Sequence, residues 1–446
     1  MIGRVLLAVV CAALFAGAAE AADVKTLKMP KGEEVWYVSD HTLPMIAMSA
    51  SLPAGSAFDP QGKFGLAAFA ASLLDEGAGN LNATAFQTAL SNRAIRLSIS
   101  PGRDYLTITL VTLTDNAKDA FHLLGLALAH PRFDQDAIQR VRAQILSSLE
   151  QEDTDPPTVA AKGFYRAFFH DHPYGHPVNG DAASINAINQ NDLRNFAAEH
   201  WVKGDLRIAV SGDVDAATLT QLINSAFGKL PARAPAPTPW PGRVGTPGEQ
   251  VIPLPVPQPT VVFGLPGLMR SDRDFIPAFV ANYIIGGGGF ASRLTDEVRV
   301  KRGLTYDIST SLESFRRAGI MAGEFATKQG SVQNAIGVVR NTLQTFADNG
   351  PTDKELEDAK TYLTGSFPMS FSSNVGIVGE LNGFQQVGLP VDYIRKRNAL
   401  IDAVTVADVK RAAARIYNPR NMTIVIGGTP GPERASKSPT PAKARH

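Results

Sequence analysis

A single cysteine, Cys11, is the whole thiol inventory of the 446 residues. It lies inside the apolar run 6–15 near the N-terminus, and Val9 and Val10 precede it where a lipoprotein cysteine would need a small neighbour. A chain trimmed of that run has no disulfide, no thiolate metal site and no cysteine nucleophile. Charge of one sign is equally scarce. Charged residues make up 19% of the chain, the formal net charge is +1, and no arginine-rich run occurs in its body. That excludes a nucleic-acid footprint. Long hydrophobic runs are missing too. Beyond the N-terminal run no segment reaches the roughly 20 apolar residues that a membrane helix needs.

The N-terminus has the three parts of a secretory signal peptide. Arg4 supplies positive charge, residues 6–15 the apolar stretch, and Ala19-Glu20-Ala21 a small-residue cleavage site. Residues 1–22 are therefore expected to be removed, and the mature protein to be exported to the periplasm with no transmembrane segment. Hydrophobic residues make up 44% of the chain, enough for more than one core.

Proline is concentrated in residues 231–259, which divide the chain almost in half. Proline fixes φ and removes a backbone donor, so this stretch is expected to be an extended linker and not a helix or central strand. It separates a first half, 23–230, from a second, 260–428. Residues 429–446 lack large apolar side chains and are expected to form a disordered tail. The halves repeat each other. Asp192-Leu193-Arg194-Asn195-Phe196 leads through Trp201 into the apolar run 206–211, and Asp408-Val409-Lys410-Arg411-Ala412 leads through Tyr417 into 422–426. Residues 133–150 match 351–368 in helical pattern, and Leu73-Leu74 parallels Ile284-Ile285. Internal duplication is the economical reading.

Strand-like alternation and β-branched runs mark 35–38, 45–52, 106–113 and 260–264. Helical periodicity marks 65–75, 118–129, 134–152 and 332–348. Strand pairs followed by runs of helices predict an α+β fold. Its two homologous halves would each be a largely antiparallel sheet packed by helices, together forming a clamshell.

The segment Gly65-Leu66-Ala67-Ala68-Phe69-Ala70-Ala71-Ser72 and the second-half run Gly286-Gly287-Gly288-Gly289-Phe290, Ser292-Arg293-Leu294, Arg299 and Tyr306 resemble the pitrilysin/insulinase family of inverted zinc peptidases over about residues 27–428. The family carries H-x-x-E-H on a first-half helix. Here Ala68 stands at the first histidine, Ala71 at the glutamate and Ser72 at the second histidine. Ser148, with Glu150 close by, stands where the family has its third ligand. Alanine offers neither a donor atom nor a base, and serine alone is a poor zinc ligand. In the second half the resemblance implies that Arg299 and Tyr306, seven apart, reach toward a zinc site as catalytic residues. The tyrosine would donate to the oxyanion and the arginine would grip substrate. The loop Gly286 to Gly289 would approach bound peptide.

The family resemblance thus implies a zinc-motif-deficient member like the non-zinc subunit of bacterial heteromeric peptidases. Such a chain is inactive alone and holds no cofactor. Zinc belongs to a homologous zinc-bearing partner subunit, whose site meets Arg299 and Tyr306. Unfolded peptide would lie along a sheet edge at residues 96–100. The alternative is a non-catalytic peptide-binding or scaffold protein of the cell envelope. A third reading, an independent hydrolase using His170, His172 and His176, lacks a matching acid or base cluster. The prolines around those histidines also fix the backbone in ways that need not converge the rings.

Overall fold

The computed structural model describes residues 23–29, 33–233 and 244–431. The signal peptide with Cys11, the middle of the proline-rich stretch and most of the tail lie outside the described residues.

The first half forms a six-stranded sheet. Its strands are β1 (Lys25–Lys28), β2 (Glu34–Ser39), β3 (Met45–Leu52), β4 (Arg96–Pro101), β5 (Leu106–Leu113) and β6 (Arg207–Gly212), ordered β1-β2-β6-β3-β5-β4. Only β2 and β6 run parallel; the other pairs are antiparallel. The second half forms a five-stranded sheet of β7 (Gly248–Ile252), β8 (Thr260–Pro266), β9 (Ile308–Ser314), β10 (Gly319–Ala326) and β11 (Thr423–Gly427), ordered β9-β10-β8-β11-β7. Its one parallel pair is β7 with β11. Read from the parallel pair outward, β2-β6-β3-β5-β4 and β7-β11-β8-β10-β9 are the same topology. The duplication read from sequence is therefore a duplication of sheets. Each sheet carries its own apolar core, one around Phe69, Phe121 and Trp201, the other around Phe263, Phe346 and Tyr417.

Two features depart from the expected partition. The proline-rich stretch is not all linker, because β7 lies within it. Pro253, Pro255, Pro257 and Pro259 follow β7 and do not interrupt it, and β7 is an edge strand, where lost donors cost least. Second, the halves exchange helices. Helix Pro156–Phe169, in the first half of the sequence, packs on the second sheet. There Ala160, Phe164 and Phe168 meet Val262, Ile320 and Val425. Helix Asn374–Gln386 packs on the first sheet, with Ile377, Val378 and Leu381 against Trp36, Ala47 and Ala209. Each sheet has its second face covered by the other half's chain, so a division at 231–259 leaves the two main cores whole but cuts through the apolar clusters on those second faces.

Polar contacts seal the exchange. Asn382 donates to Arg207 O (3.2 Å) and Gln385 to Ile208 O (3.1 Å), while Ser51 donates to Asn382 Oδ1. Beside them the buried Asp104 accepts from Tyr174 Oη and, across the halves, from the Arg316 backbone N–H at 2.8 Å. Burial raises the Asp104 carboxyl above its ordinary range and raises the Tyr174 hydroxyl as well. Among the described residues no helix is long and apolar enough to cross a membrane.

Candidate functional site

The helix Leu66–Ser72 is short, apolar and entered through Gly65, whose φ of 90° only glycine adopts without strain. Asp59 ties down its first turn. One carboxylate oxygen accepts from Gly65 N (2.7 Å), the other from Ala67 N (2.8 Å). This cap sits six residues before the helix entrance, too far for a local capping rule to find. The positions of interest on this helix are closed. Ala71 is 0% exposed, Ala68 5%, and Ser72, at the surface, donates back to Ala68 O (2.9 Å). Ser148 and Glu150 are exposed on the helix Gln135–Glu152. The helix Leu66–Ser72 packs beside β4, which is a free edge of the first sheet, as expected for residues 96–100. Among the described residues no group of three or more His, Cys, Asp or Glu side chains is placed to hold a metal.

Burial pushes the Asp59 carboxyl up to about 8, against the pull of its two N–H donors. An unfolded aspartate ionises near 3.9, so the folded state holds this proton more tightly. The resulting stabilisation is present at acid pH and is lost as pH rises through the folded value. In urea titrations between about pH 5 and about pH 9, the advantage of wild type over Asp59→Asn should shrink as pH rises, by at most roughly 1.4 kcal/mol per pH unit. A constant or growing advantage contradicts this.

The second-half constellation is built quite differently. Residues Tyr283–Gly287 and Thr295–Val300 are wound as π-helix, with five-residue hydrogen bonds such as Gly288 N to Tyr283 O (2.8 Å) and Lys301 N to Asp296 O (2.9 Å). Such segments recur at functional sites. The glycines have separate reasons. Gly286 is buried, and a Cβ there would come within 2.4 Å of Thr310 Oγ1. Gly287 abuts the Asn282 amide and Gly288 abuts Tyr283. Gly289, at φ 57°, has open space around it and is exposed. Of the four, Gly287 and Gly289 face solvent, and Gly286 serves packing on β9.

Ser292 donates to Gly289 O (2.8 Å), and Arg293 makes a two-pronged pair with Glu355 (2.6 and 2.7 Å) while reaching Gly350 O (3.1 Å). That pair and the Thr352 donors hold the Glu355 carboxyl down at about 2, against its burial. The Ser-Arg-Leu run is thus the brace that fixes the glycine loop to the helix Asp353–Gly365.

The spacing of Arg299 and Tyr306 is set by a helix ending between them. Gly303, at φ 62°, donates to Arg299 O (2.8 Å), and Leu304 N donates to Val298 O (3.0 Å). This is an αL glycine stop, with Leu304 and Val298 both turned to the core. Thr305 Oγ then donates to Ala326 O (2.8 Å), pinning the following turn. Between these ties the Tyr306 ring is 78% exposed. The Arg299 guanidinium lies 4.5 Å over the ring of Phe290, itself 75% exposed, and pairs with no carboxylate among the described residues. Arg299 and Tyr306 therefore stand on one braced corner, an unpaired cation and an open hydroxyl beside exposed Phe290. Sequence reading placed Phe290 at the end of the glycine run but gave it no role; an aromatic directly after that run was the available signal.

That corner packs on β9 and the helix Val332–Asn349, whereas the helix Leu66–Ser72 packs on β4, Gln135–Glu152 and Gln190–His200. The three histidines go separate ways. His172 is buried and its Nδ1 accepts from Tyr174 N (3.1 Å), His176 stacks on Phe64 (4.3 Å between centroids), and His170 is exposed at a helix end.

The chain matches the family model described as Insulinase (Peptidase family M16) over residues 34–182, and the one described as Peptidase M16 inactive domain over 187–363. The chain belongs to peptidase family M16. A crystal structure of a peptidase M16 inactive domain from Pseudomonas fluorescens is similar at a TM-score of 0.87 and 28% identity, over 92% of this chain and 99% of that one. The "Non-peptidase homolog YmxG" of Helicobacter pylori is 27% identical over 372 residues, 83% of this chain and 85% of that protein. A Streptomyces coelicolor protein named an uncharacterized zinc protease is 28% identical over 293 residues, 64% of each chain. The two-halved clamshell is the M16 architecture, and the relatives of this chain include one named a non-peptidase homolog beside others named zinc proteases.

Proposed function

We propose that this chain is the zinc-free subunit of a two-subunit M16 metallopeptidase. It binds unfolded peptide and lends Arg299 and Tyr306 to the zinc site of a homologous partner. One observation carries the reading, an asymmetry between the two halves. The first-half helix has alanines sealed into the core where M16 chemistry needs donors and a base. The second half instead invests a π-helical turn, an αL glycine stop and a half-buried ion pair in holding Arg299 beside a solvent-exposed Tyr306. A braced corner with an unpaired cation and an open hydroxyl is an oxyanion-binding arrangement awaiting a metal-bound water from elsewhere. The free edge at β4 supports peptide binding by strand addition. The sequence of residues 1–22 supports export to the periplasm.

The test is co-expression with a zinc-bearing M16 relative from the same genome and a chelator-controlled fluorogenic peptide assay. Cleavage is expected from the pair and not from this chain alone. Chelator-sensitive cleavage by this chain alone overturns the proposal. A chain that forms no active pair leaves a peptide-binding or scaffold protein of the cell envelope. Metal analysis of untagged protein should also find no stoichiometric zinc, because Ala68, Ala71 and Ser72 supply no ligand set. One tightly held zinc per chain contradicts it.

A further inference from the structure

The repeat directs attention to the second-half counterpart of the degenerate first-half site. Matching Leu73-Leu74 to Ile284-Ile285 sets Phe279 where Ala68 stands, and matching 133–150 to 351–368 sets Ser366 where Ser148 stands. In the structure Phe279 and Ser366 line one cavity, beside the free edge strand β9 and under the exchanged helix Asn374–Gln386. Where the first half has sealed its site, the second half has an open one of different chemistry.

Two guanidinium groups border it. Arg270 lies 4.3 Å over the Phe275 ring and 4.8 Å over Tyr393; Arg397 lies 4.1 Å over Phe367 and 5.7 Å over Phe279. Neither makes an ion pair with a carboxylate among the described residues. Arg397 donates to Leu363 O (2.9 Å) and to Asn398 Oδ1 (3.1 Å). Glu380 is the sole carboxylate on the described lining, against two arginines. Burial, helped by the charge of Arg270, lowers the Arg397 pKa. Aromatic faces thus hold two like charges around one cavity, a strained arrangement that an anion relieves.

The wall opposite is hollowed. Gly379 and Gly383 lie one turn apart inside the helix Asn374–Gln386, and a Cβ on either meets nothing within 4 Å. An interior helix glycine costs about 1 kcal/mol relative to alanine. Packing within the chain gives no return for that cost at either position; open space does. The edge strand supplies the last element. Thr310 O accepts from Asn282 Nδ2 (3.1 Å), so residue 310 directs its backbone groups outward from β9. The two-residue period then directs those of Leu312 outward as well, at the cavity rim and without a partner among the described residues.

We propose that this cavity is a binding site for the free C-terminal end of a peptide with an aromatic or large aliphatic last residue. The carboxylate lies between Arg270 and Arg397, the side chain enters the space left by Gly379 and Gly383, and the backbone adds to β9 at Leu312. Strand addition combined with carboxylate capture is an established mode of peptide recognition. The outward backbone groups at the rim favour a peptide over a small aromatic acid.

The experiment is calorimetric titration of this chain alone with acetyl-Ala-Ala-Ala-Ala-Phe, as the free acid and as the C-terminal amide. The acid is expected to bind at least about tenfold more tightly, the scale of a lost charge-assisted hydrogen bond. Arg270→Gln should remove that preference. Gly383→Leu should fill the space and abolish binding while leaving the melting temperature unchanged or raised. Equal affinity for acid and amide, or no binding of either, overturns the proposal. N-acetylphenylalanine binding as tightly as the pentapeptide overturns the peptide assignment. No partner subunit and no turnover enter the measurement, so its outcome is separable from that of the pairing proposal.

Discussion

Replacing Tyr306 by phenylalanine should lower kcat of the reconstituted pair by roughly 10²-fold, the scale of losing one oxyanion donor. The change removes one oxygen from a ring that is 78% exposed, so nothing in the packing of the chain depends on it. The turn that carries the ring is held from both sides, by the αL glycine stop at Gly303 and by the Thr305 hydroxyl on Ala326 O. The variant therefore keeps the backbone and loses only the donor. Its unfolding free energy should stay within about ±0.5 kcal/mol of wild type, as is usual for surface substitutions, and its melting temperature should be nearly unchanged. Arg299→Ala should lower kcat/KM, with the larger share in KM if the guanidinium grips substrate backbone. It should also free the Phe290 ring, now capped at 4.5 Å. The measurement is steady-state kinetics of the pair with thermal melts and partner zinc content alongside. Wild-type kcat in the Tyr306→Phe complex would remove catalytic assistance and leave the scaffold reading.

Phe164→Ala should destabilise the chain by about 3–5 kcal/mol, and in both halves together. Phe164 is 0% exposed on the exchanged helix Pro156–Phe169. Its ring tip lies where a Cβ on Gly264 of β8 would come within 2.4 Å, so the glycine exists to admit the ring. Phe168, at 5.3 Å between centroids, completes the contact. A void there cannot collapse without moving the second sheet. Because the helix belongs in sequence to the first half, urea unfolding followed by tryptophan fluorescence should shift along with circular dichroism. Trp36 and Trp201, the tryptophans among the described residues, both lie in the first half. An unchanged tryptophan transition beside a shifted circular-dichroism one would mean that the halves unfold separately.

Elements were the most legible part of this fold. Residues 45–52 and 106–113 are β3 and β5 to the residue, and the helix foreseen at 332–348 runs Val332–Asn349. Strong alternation or helical periodicity over eight or more residues leaves little room for error. The repeat was legible because both copies keep a capped helix leading through an aromatic into a strand. The exchange of helices was not. Ala160, Phe164 and Phe168 read as any amphipathic stripe reads, and periodicity says which face is buried but never against what. Strand β7 was hidden by the prolines that follow it. At the candidate site, the residue types of Arg299, Tyr306 and Ala68 were readable, since chemistry follows side-chain identity. The braces were not, because Arg293 with Glu355 and Asp59 with Gly65 join residues by geometry that spacing does not encode.

The exchanged helices also bear on how such a chain is made. A polypeptide synthesised N-terminus first completes the strands of its first sheet at Gly212, yet the apolar face carrying Trp36, Ala47 and Ala209 stays uncovered until Gln386 has emerged. Meanwhile the aromatic side of Pro156–Phe169 waits for β11, almost the last element of the chain. Until the other half is made, each half lacks the cover for one face of its sheet. For much of its synthesis the nascent chain therefore shows an apolar sheet face and an apolar helix side, surfaces prone to association until they are covered. Shuffling either half into a new gene would leave both stranded.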